Sequence, residues 1–218
     1  MADFVKGRSV RIEVGFTEAA PLTVLDVTQA SPGVAHVTGH ALAIGSVGYF
    51  SGVEGMDQLD GQAVRISSAG SPSADNFGLE GIDTSEFSTF ASGLFVPISA
   101  WRTIAQATQY QLGGGAPRTE DVGTLLDTTE KLETVKLAAE TVTIDLRSLE
   151  ADNDALTKIR QVARAAGEIV VRITLAKGAQ RIFRGQPSIP GESLTQGATG
   201  TGQLSLTVKG QICYLPAL

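Results

Sequence analysis

The sequence predicts a mainly β protein, α+β by count, with one flanking helix. Aromatic residues make up 6% and charged residues 18% of the 218 residues, while glycine is abundant, a composition typical of β-rich chains with many turns. Several segments alternate apolar and polar residues with the period of a half-buried strand. A single segment shows the apolar spacing of an amphipathic helix.

Three segments alternate most strictly, and each predicts a strand with one face in water. They are SVRIEVGF at 9–16, VTIDLRSL at 142–149 and LSLTVKGQICYL at 204–215. In the last segment, apolar residues continue at every second position past Gly210, to Ile212 and Tyr214. The predicted wet faces of the first two carry Arg11, Glu13, Asp145 and Arg147.

A hairpin and a helix complete the predicted elements. Residues 168–185 alternate up to a turn at Lys177-Gly178 and return through 180–184. Before them, Leu156, Ile159 and Val162 recur at helical spacing. Asp152 or Asn153 supplies the predicted N-terminal cap and Gly167 the stop.

The middle of the chain reads as a separate unit. From about residue 22 to 94, short β-like runs are cut by turn residues every 8 to 12 positions, which predicts a small β-barrel or sandwich module. We therefore expect a discontinuous main domain at 1–20 and 95–218, called the body below. The module at 21–94, called the insert, interrupts it.

Charge and cysteine content limit the function classes. The net charge of −6 gives no field for wrapping a polyphosphate backbone, although acidity suits a surface that DNA passes without sticking. The single cysteine, Cys213, forms no intramolecular disulfide. No segment resembles a signal peptide or a membrane-spanning helix, so we expect folding in a cytosol.

The two histidines do not predict a metal site. His36 and His40 are four residues apart, but HVTGH lacks the glutamate of the helical zinc motif and lies in a β-like run. There is no further histidine and no nearby cysteine. We predict two structural histidines.

The acidic cluster GVEGMDQLDG also favours a structural interpretation. Counting from Asp57, the third residue is Leu59, so the register of an EF-hand loop fails. Asp60-Gly61 before QAVRI predicts a hairpin turn, with Val64 and Ile66 inward and Arg65 outward. We expect Glu54, Asp57 and Asp60 to remain in water.

Two further candidates lack the residues that their chemistry needs. GATGTGQL at 197–204 has the outline of a phosphate-binding loop, but Gln203 and Leu204 replace the required Lys and Ser or Thr; we predict a mobile linker before the last strand. Cys213 lies mid-strand, far in sequence from both histidines, which argues against a catalytic thiol. No catalytic, cofactor-binding or metal-ligating residue is predicted, although scattered carboxylates leave a hydrolase open.

The insert resembles a small β-barrel module found in phage virion proteins, which is similar to the first catalytic-cysteine half-domain of ubiquitin-activating enzymes. About 65 residues are covered, and Gly45-Ser46 departs from the expected Gly-Asp. The resemblance implies a phage context and no activity. It is carried by His40–Leu42, Ser51–Val53, Gly55-Met56, Leu59–Gln62, Phe77–Leu79 and Gly81–Thr84.

The flanks, about 140 residues, resemble the major tail tube protein of phages with long, non-contractile tails. The order of elements carries this likeness: an N-terminal strand, TEDVGTLLDTTEKLETVKLAAETVTIDL, the helix, the hairpin, a mobile loop and a final strand. The resemblance implies a β-sandwich or rolled sheet with one helix. It further implies hexameric rings stacked around a tape-measure protein, with tail-terminator and tail-tip proteins at the ends. Genomic DNA is expected to pass through without specific binding.

From the sequence and these resemblances we predict a structural virion protein, not an enzyme. We expect it to form a conduit for DNA ejection and to assemble in the bacterial host cytoplasm. The long segments 119–136 and 185–203 are expected to make ring-to-ring contacts. Two alternatives stay open. One is a virion adhesion or carbohydrate-binding protein that recognises ligands through the insert, and the other is a virion-associated hydrolase.

Overall fold

A computed structural model describes residues 10–67, 74–121, 132–147, 153–196 and 198–217. The protein is 54% strand and 8% helical, so the predicted mainly β class is confirmed. In the described residues the order of elements is β1 Arg11–Glu18, β2 Leu22–Val24, β3 Asp26–Val27, β4 Val34–His36, β5 Val47–Glu54, a 3-10 turn Asp57–Leu59, β6 Ala63–Ser67, β7 Asn76–Glu80, β8 Ser92–Thr103, β9 Ala107–Gly113, β10 Pro117–Asp121, β11 Leu132–Leu137, β12 Thr141–Arg147, α1 Asp154–Arg164, β13 Ile169–Thr174, β14 Gln180–Pro187, β15 Gly191–Ser193 and β16 Thr201–Leu215.

Most strands belong to one curled antiparallel sheet. Its order is β3-β4-β7-β6-β5-β8-β1-β13-β14-β16-β12-β9, with β2 added on β8 and β15 added on β16. β10 and β11 form a separate hairpin. The long strand β8 spans the predicted boundary between insert and body at residue 94. It pairs with β5 of the insert and with β1 of the body, so the two parts share one hydrogen-bonded sheet. The predicted division into two domains stays a prediction.

The curl encloses two hydrophobic cores. The insert core lies mainly between strands of residues 24–96, with Val170, Ile182, Cys213 and Leu215 added from the body. The body core is formed by one face of the remaining strands and by α1. Its members are Ile12, Val14, Ile104, Val142, Ile144, Leu146, Ala155, Leu156, Ile159, Ile169, Val171, Ile173, Leu175, Phe183, Leu204, Leu206, Val208 and Ile212.

The body sheet is rolled, so that its two halves face each other. β9, β12 and the first part of β16 bury side chains such as Ile144 and Leu204 in the body core, and β1 and β13 bury Ile12 and Val171 in the same core. Because both halves turn the same sheet face inward, their outer faces point in opposite directions. The insert covers the outer face of the half formed by β1, β13 and β14, where Val170 and Ile182 join the insert core.

The helix prediction is confirmed, including one of its two candidate caps. The side chain of Asn153 accepts a hydrogen bond from the backbone N–H of Ala155 at 2.8 Å, and Leu156 and Ile159 are buried. The helix ends differently from the expectation. Ala166, not Gly167, has the left-handed backbone with φ of 50°, while the N–H of Gly167 donates to the carbonyl of Val162.

The strand predictions hold for most of the apolar faces and fail at Glu13 and Tyr214. Residues 142, 144 and 146 are buried as expected, and the hairpin of β13 and β14 forms. Glu13, expected in water, is 6% exposed because Arg172 pairs with it at 2.9 Å and stacks on Trp101. Tyr214, expected on the apolar face, is 55% exposed and stacks against Arg181.

Arg65 is the largest departure from the sequence prediction, which placed it outward. It is fully buried, and its Nε and Nη2 each donate to the carboxylate of Glu80 at 2.6 Å. The guanidinium also donates to the side-chain oxygen of Gln180 at 3.1 Å and to the carbonyl of Pro216 at 2.9 Å. A buried charge requires such partners, and these come from the insert and from the body.

A second buried polar contact reinforces this joint. The amide nitrogen of Gln62 donates to the carbonyl of Gln211 at 3.0 Å, and its oxygen accepts the N–H of Gln211 at 2.9 Å. The contact falls at a register irregularity of β16, where Gly210 has φ of 74°. The bulge exposes backbone groups of β16 that the insert then satisfies.

The helix end yields the first prediction. Ala166→Gly should raise the free energy of unfolding by about 0.5–1 kcal/mol, because relief of the left-handed penalty exceeds the added entropy of the unfolded chain. Ala165→Gly is the matched control, since Ala165 has φ of −84°, and it should destabilise. Urea unfolding measures both; equal destabilisation by the two variants would contradict the assignment.

The buried joint yields the second prediction. Arg65→Met should lower the free energy of unfolding by about 3 kcal/mol, because it leaves the Glu80 carboxylate without its partner. Arg102→Met is the control, since Arg102 pairs with Asp154 in an exposed position, and it should cost no more than about 1 kcal/mol. Denaturant unfolding of both variants tests this, and costs within 1 kcal/mol of each other would refute a structural role for Arg65.

Candidate assembly surfaces

One half of the rolled body forms a four-stranded antiparallel layer, called the polar layer below. Its order is β15, the first part of β16, β12 and β9. The register places Gln203 beside Asp145, which lies beside Gln109; one step along, Ser205, Thr143 and Gln111 align in the same way. Aligned residues in neighbouring strands point to the same face.

The two faces of the polar layer differ completely. One face carries Val142, Ile144 and Leu146 and packs into the body core. The other, called the polar face, is open and carries amide and hydroxyl side chains with one acid and one base. Its members are Gln109, Gln111, Thr141, Thr143, Asp145, Arg147, Ser193, Thr201, Gln203, Ser205 and Thr207.

Hydrogen bonds hold the acid of this face in place. The side-chain amide of Gln203 donates to Asp145 Oδ1 at 3.1 Å, and the hydroxyl of Thr108 donates to the backbone carbonyl of Asp145 at 3.2 Å. Arg147 is exposed. An open concavity lies over this region. The face can donate and accept many hydrogen bonds but carries no net charge.

The outer edge of β9 has backbone groups without strand partners in the described chain. The N–H of Val208 donates to the carbonyl of Glu140. In an antiparallel pair, alternate residues hydrogen-bond to the neighbouring strand, so the even-numbered residues of β12 bond to β16. The odd-numbered residues of β12 therefore face β9, in agreement with the bond from Arg147 N–H to the carbonyl of Gln106. Consequently Tyr110 and Leu112 direct their backbone groups away from β12.

The opposite edge of the layer also lacks a strand partner among the described residues. Ser188 and Ser205 exchange bonds at 2.7 and 3.0 Å, so the odd-numbered residues of β16 face β15. By the same alternation Glu192 directs its backbone N–H and C=O outward. Exposed apolar side chains flank this short strand, with Ile189 57% and Leu194 76% exposed.

The structure keeps the two histidines within the insert. Nδ1 of His36 lies 2.6 Å from Oδ1 of Asn76, and Nε2 of His40 lies 3.1 Å from the carbonyl of the same residue. His40 also packs edge-on against Phe77. Across the described ranges, no group of three or more His, Cys, Asp or Glu side chains could hold a metal ion.

Two of the three carboxylates of the predicted turn, Glu54 and Asp60, have separate partners. The hydroxyl of Ser92 donates to Glu54 at 3.0 Å, and Asp60 lies 3.8 Å from Nζ of Lys209. Gly61 has the positive φ expected of the turn, but the connection runs through the 3-10 turn Asp57–Leu59 and is longer than a two-residue hairpin.

The remaining sequence candidates also have assigned places. Thr201 to Leu204 of the GATGTGQL segment belong to β16, so the last strand begins earlier than expected, while Gly197 lies outside the described residues. Cys213 is 3% exposed. Its Sγ donates to the carbonyl of Ala63 and accepts from Gln62, both at 3.3 Å. Burial raises the pKa of this thiol to about 12.

Sequence reasoning missed β9 as part of the surface. Its apolar Tyr110 and Leu112 alternate with Gln109 and Gln111, which is the pattern of a two-faced strand. Because the glycine run Gly113–Gly115 follows directly, the sequence alone indicates a connecting segment for this stretch. Asp145 and Arg147 were correctly assigned to a solvent-facing side of their strand. Glu13 was also predicted to face solvent, but it is buried.

Comparisons with known proteins place these surfaces in context. The family model described as "Phage tail tube protein, TTP" matches residues 54–215, which include the polar layer and part of the insert. The comparison with curated proteins finds no match. In the part of the chain that the structure describes, no helix has the length and apolar character to cross a membrane.

The buried cysteine yields a prediction on thiol reactivity. Because the pKa of the Cys213 thiol is raised to about 12, the reactive thiolate is scarce at pH 8 and becomes abundant only as the pH approaches 12. Ellman's reagent at pH 8 should react at least about 1,000-fold more slowly with folded protein than with protein in urea. Similar rates in the two states would contradict the buried position.

Proposed function

Because the chain belongs to the phage tail tube protein family, we propose that it is the tube subunit of a long, non-contractile phage tail. Six copies form a ring, and rings stack into a conduit for DNA ejection. This role needs surfaces that repeat from copy to copy. The observation that supports it is the polar layer with two open edges on opposite sides.

The strand directions of the layer suit a ring. Neighbouring strands in the order β15, β16, β12 and β9 are all antiparallel, so β15 and β9 also run in opposite directions. Joining β15 of one copy to β9 of the next continues the antiparallel pattern. Such a head-to-tail contact between two different patches closes into a ring by rotation, and it removes two edges that invite uncontrolled pairing.

Apolar surface near β15 supports the same joint. Ile189 and Leu194 are exposed on a single chain and would lose contact with water beside the next copy. At the other edge, half-buried Tyr110 and Leu112 pack partly on the body core. Strand addition supplies backbone hydrogen bonds, and neighbouring side chains supply specificity.

Ring size follows from strand spacing. Six layers of four strands make about 24 strands, and at about 4.8 Å between strands the closed sheet is roughly 37 Å across before strand tilt widens it. That width leaves an open channel once side chains are added. The estimate supports a conduit for a nucleic-acid duplex.

The other parts of the proposal rest on the resemblances and on segment length. The discontinuous body and the insert are proposed domains, and the insert is a decoration-like phage module. Segments 119–136 and 185–203 make ring-to-ring contacts, a tape-measure protein occupies the assembling lumen, and terminator and tip proteins bind the ends. Assembly takes place in the host cytoplasm, and no catalytic role is assigned.

The ring joint is testable through the backbone of β9. Leu112→Pro removes the outward N–H and places a ring on the open edge, whereas Leu112→Ala removes a similar part of the side chain and keeps the N–H. We expect both to fold by circular dichroism, and we expect Leu112→Pro alone to lose tubes in negative-stain electron microscopy. Tubes from Leu112→Pro as abundant as those from Leu112→Ala would reject the joint.

The opposite edge provides an independent pair of variants if Leu112→Pro does not fold. Glu192→Pro removes the outward N–H of β15, and Glu192→Ala is its control. We expect loss of tubes from the proline variant only. Normal tubes from folded Glu192→Pro would reject β15 as the partner edge.

A further inference from the structure

We infer that the side chain of Leu194 inserts into a cleft beside β9 of the next copy and so identifies the correct edge for ring closure. This inference rests on the proposed ring. It adds the side chain that marks the joint, the site that receives it, and the occupant of that site, which is a second copy of this chain.

The cleft lies where the roll of the body is left unclosed. Among the described strands, β9 pairs with β12 alone, while β1 pairs with β13 and β8. The chain turns from β8 towards β9 at Ile104, whose N–H donates to the carbonyl of Ile12. A cavity of about 360 Å³ lies between the start of β1 and β9. Its apolar lining residues are Val10, Ile12, Ile104, Ala105, Ala107 and Tyr110.

The floor of this cleft suits an apolar side chain. Ile12 and Ile104 belong to the body core, and the half-buried Ala107 and Tyr110 pack against that core. The volume corresponds to about twelve water molecules, so a leucine side chain fits. Entry of an apolar group releases water from this floor, which is favourable. An apolar occupant from another chain would therefore extend the body core across the joint.

Leu194 points to the side of the polar layer on which the cleft lies. Strand alternation places the even-numbered residues of β15 on the body-core side, like the buried Leu204 of β16. In agreement, Nη2 of Arg160 donates to the carboxylate of Glu192 at 2.7 Å, and Arg160 belongs to α1, which packs on the body core. The side chain of Leu194 lies over Gly200, where its Cδ2 would be 2.6 Å from an added Cβ.

The register brings Leu194 and the cleft to the same end of the layer. Ser193 of β15 aligns, through β16, with Arg147 of β12. At the other edge, the neighbouring Leu146 aligns with Ala107 of the cleft. When β15 of one copy pairs with β9 of the next at this level, Leu194 reaches the cleft. Leu194 is 76% exposed on a single chain, and this position removes it from water.

Charge supports the same occupant. The residues that line the cleft include one base, Arg11, and no acid, and the side chain of Arg11 is 59% exposed. The segment 188–194 carries one acid, Glu192, and no base. Because Arg11 already lies 3.4 Å from Glu13 and all these charges remain partly solvated, the added attraction is weak. It orients the joint, whereas Leu194 supplies the burial. Assembly of the Glu192→Ala control is consistent with this division.

Disulfide cross-linking between two populations of the full chain tests the contact. One population carries Leu194→Cys and the other Ala105→Cys, while native Cys213 is buried. The two are mixed, assembled into tubes and exposed to a mild oxidant. Because a disulfide needs Cα atoms within about 7 Å, tubes should contain at least about tenfold more cross-linked dimers than the unassembled mixture. Leu194→Cys mixed with Gln58→Cys, an exposed position on the insert, is the control and should give no increase.

Each outcome of the cross-linking has a distinct meaning. Tubes without cross-links between Leu194→Cys and Ala105→Cys would overturn the inference and leave the proposed function standing. A cleft filled by another segment of the same chain would give this result. Failure of the unmodified chain to form rings or tubes would reject the proposed function itself.

Truncation of Leu194 tests its contribution to ring closure. Because the side chain is exposed on a single chain, Leu194→Ala should fold like the unmodified chain by circular dichroism. The protein concentration needed for tubes, measured by sedimentation and electron microscopy, should rise at least about tenfold, since apolar burial is lost at every joint. Leu25→Ala is the matched control on the insert, where Leu25 is 55% exposed, and should leave that concentration unchanged. An unchanged concentration for folded Leu194→Ala would overturn the inference.

Discussion

The buried charge of Arg65 is the constraint on which the arrangement of the molecule depends. A guanidinium without water must find hydrogen-bond acceptors and a counter-charge. Here Glu80 of the insert supplies the charge, while Gln180 and Pro216 of the body complete the shell. The insert therefore has one position on the body, over β14 and the end of β16. The outer face of the other half of the roll remains open.

That open half has the features of a repeating unit. Its buried face is fixed by apolar side chains of β9, β12 and β16, so the polar face points consistently to one side. Its two outer strands direct backbone groups into solvent, which is a liability for a single chain and a joint for an assembly. One rolled sheet therefore combines a rigid core, a surface for the insert and two edges for neighbours. Membership of the tail tube family agrees with this combination of core, insert surface and open edges in one sheet.

Much of the fold could be predicted from local pattern, and the failures share one cause. Alternation correctly identified β12 and the hairpin of β13 and β14, and helical spacing identified α1, because each pattern reports which side of an element meets apolar neighbours. Arg65 and Glu13 were wrongly placed in water, since alternation cannot reveal that the second face is covered by another part of the chain. The polar face was predicted only in part. Asp145 and Arg147 were found from β12, but their alignment with β9 and β15 depends on long-range register.

An electron cryomicroscopy reconstruction of tubes assembled from the full chain tests the central claim most directly. The account predicts a continuous sheet around the lumen in which β15 of each copy pairs with β9 of the next. A reconstruction in which these two edges are separated would contradict the account.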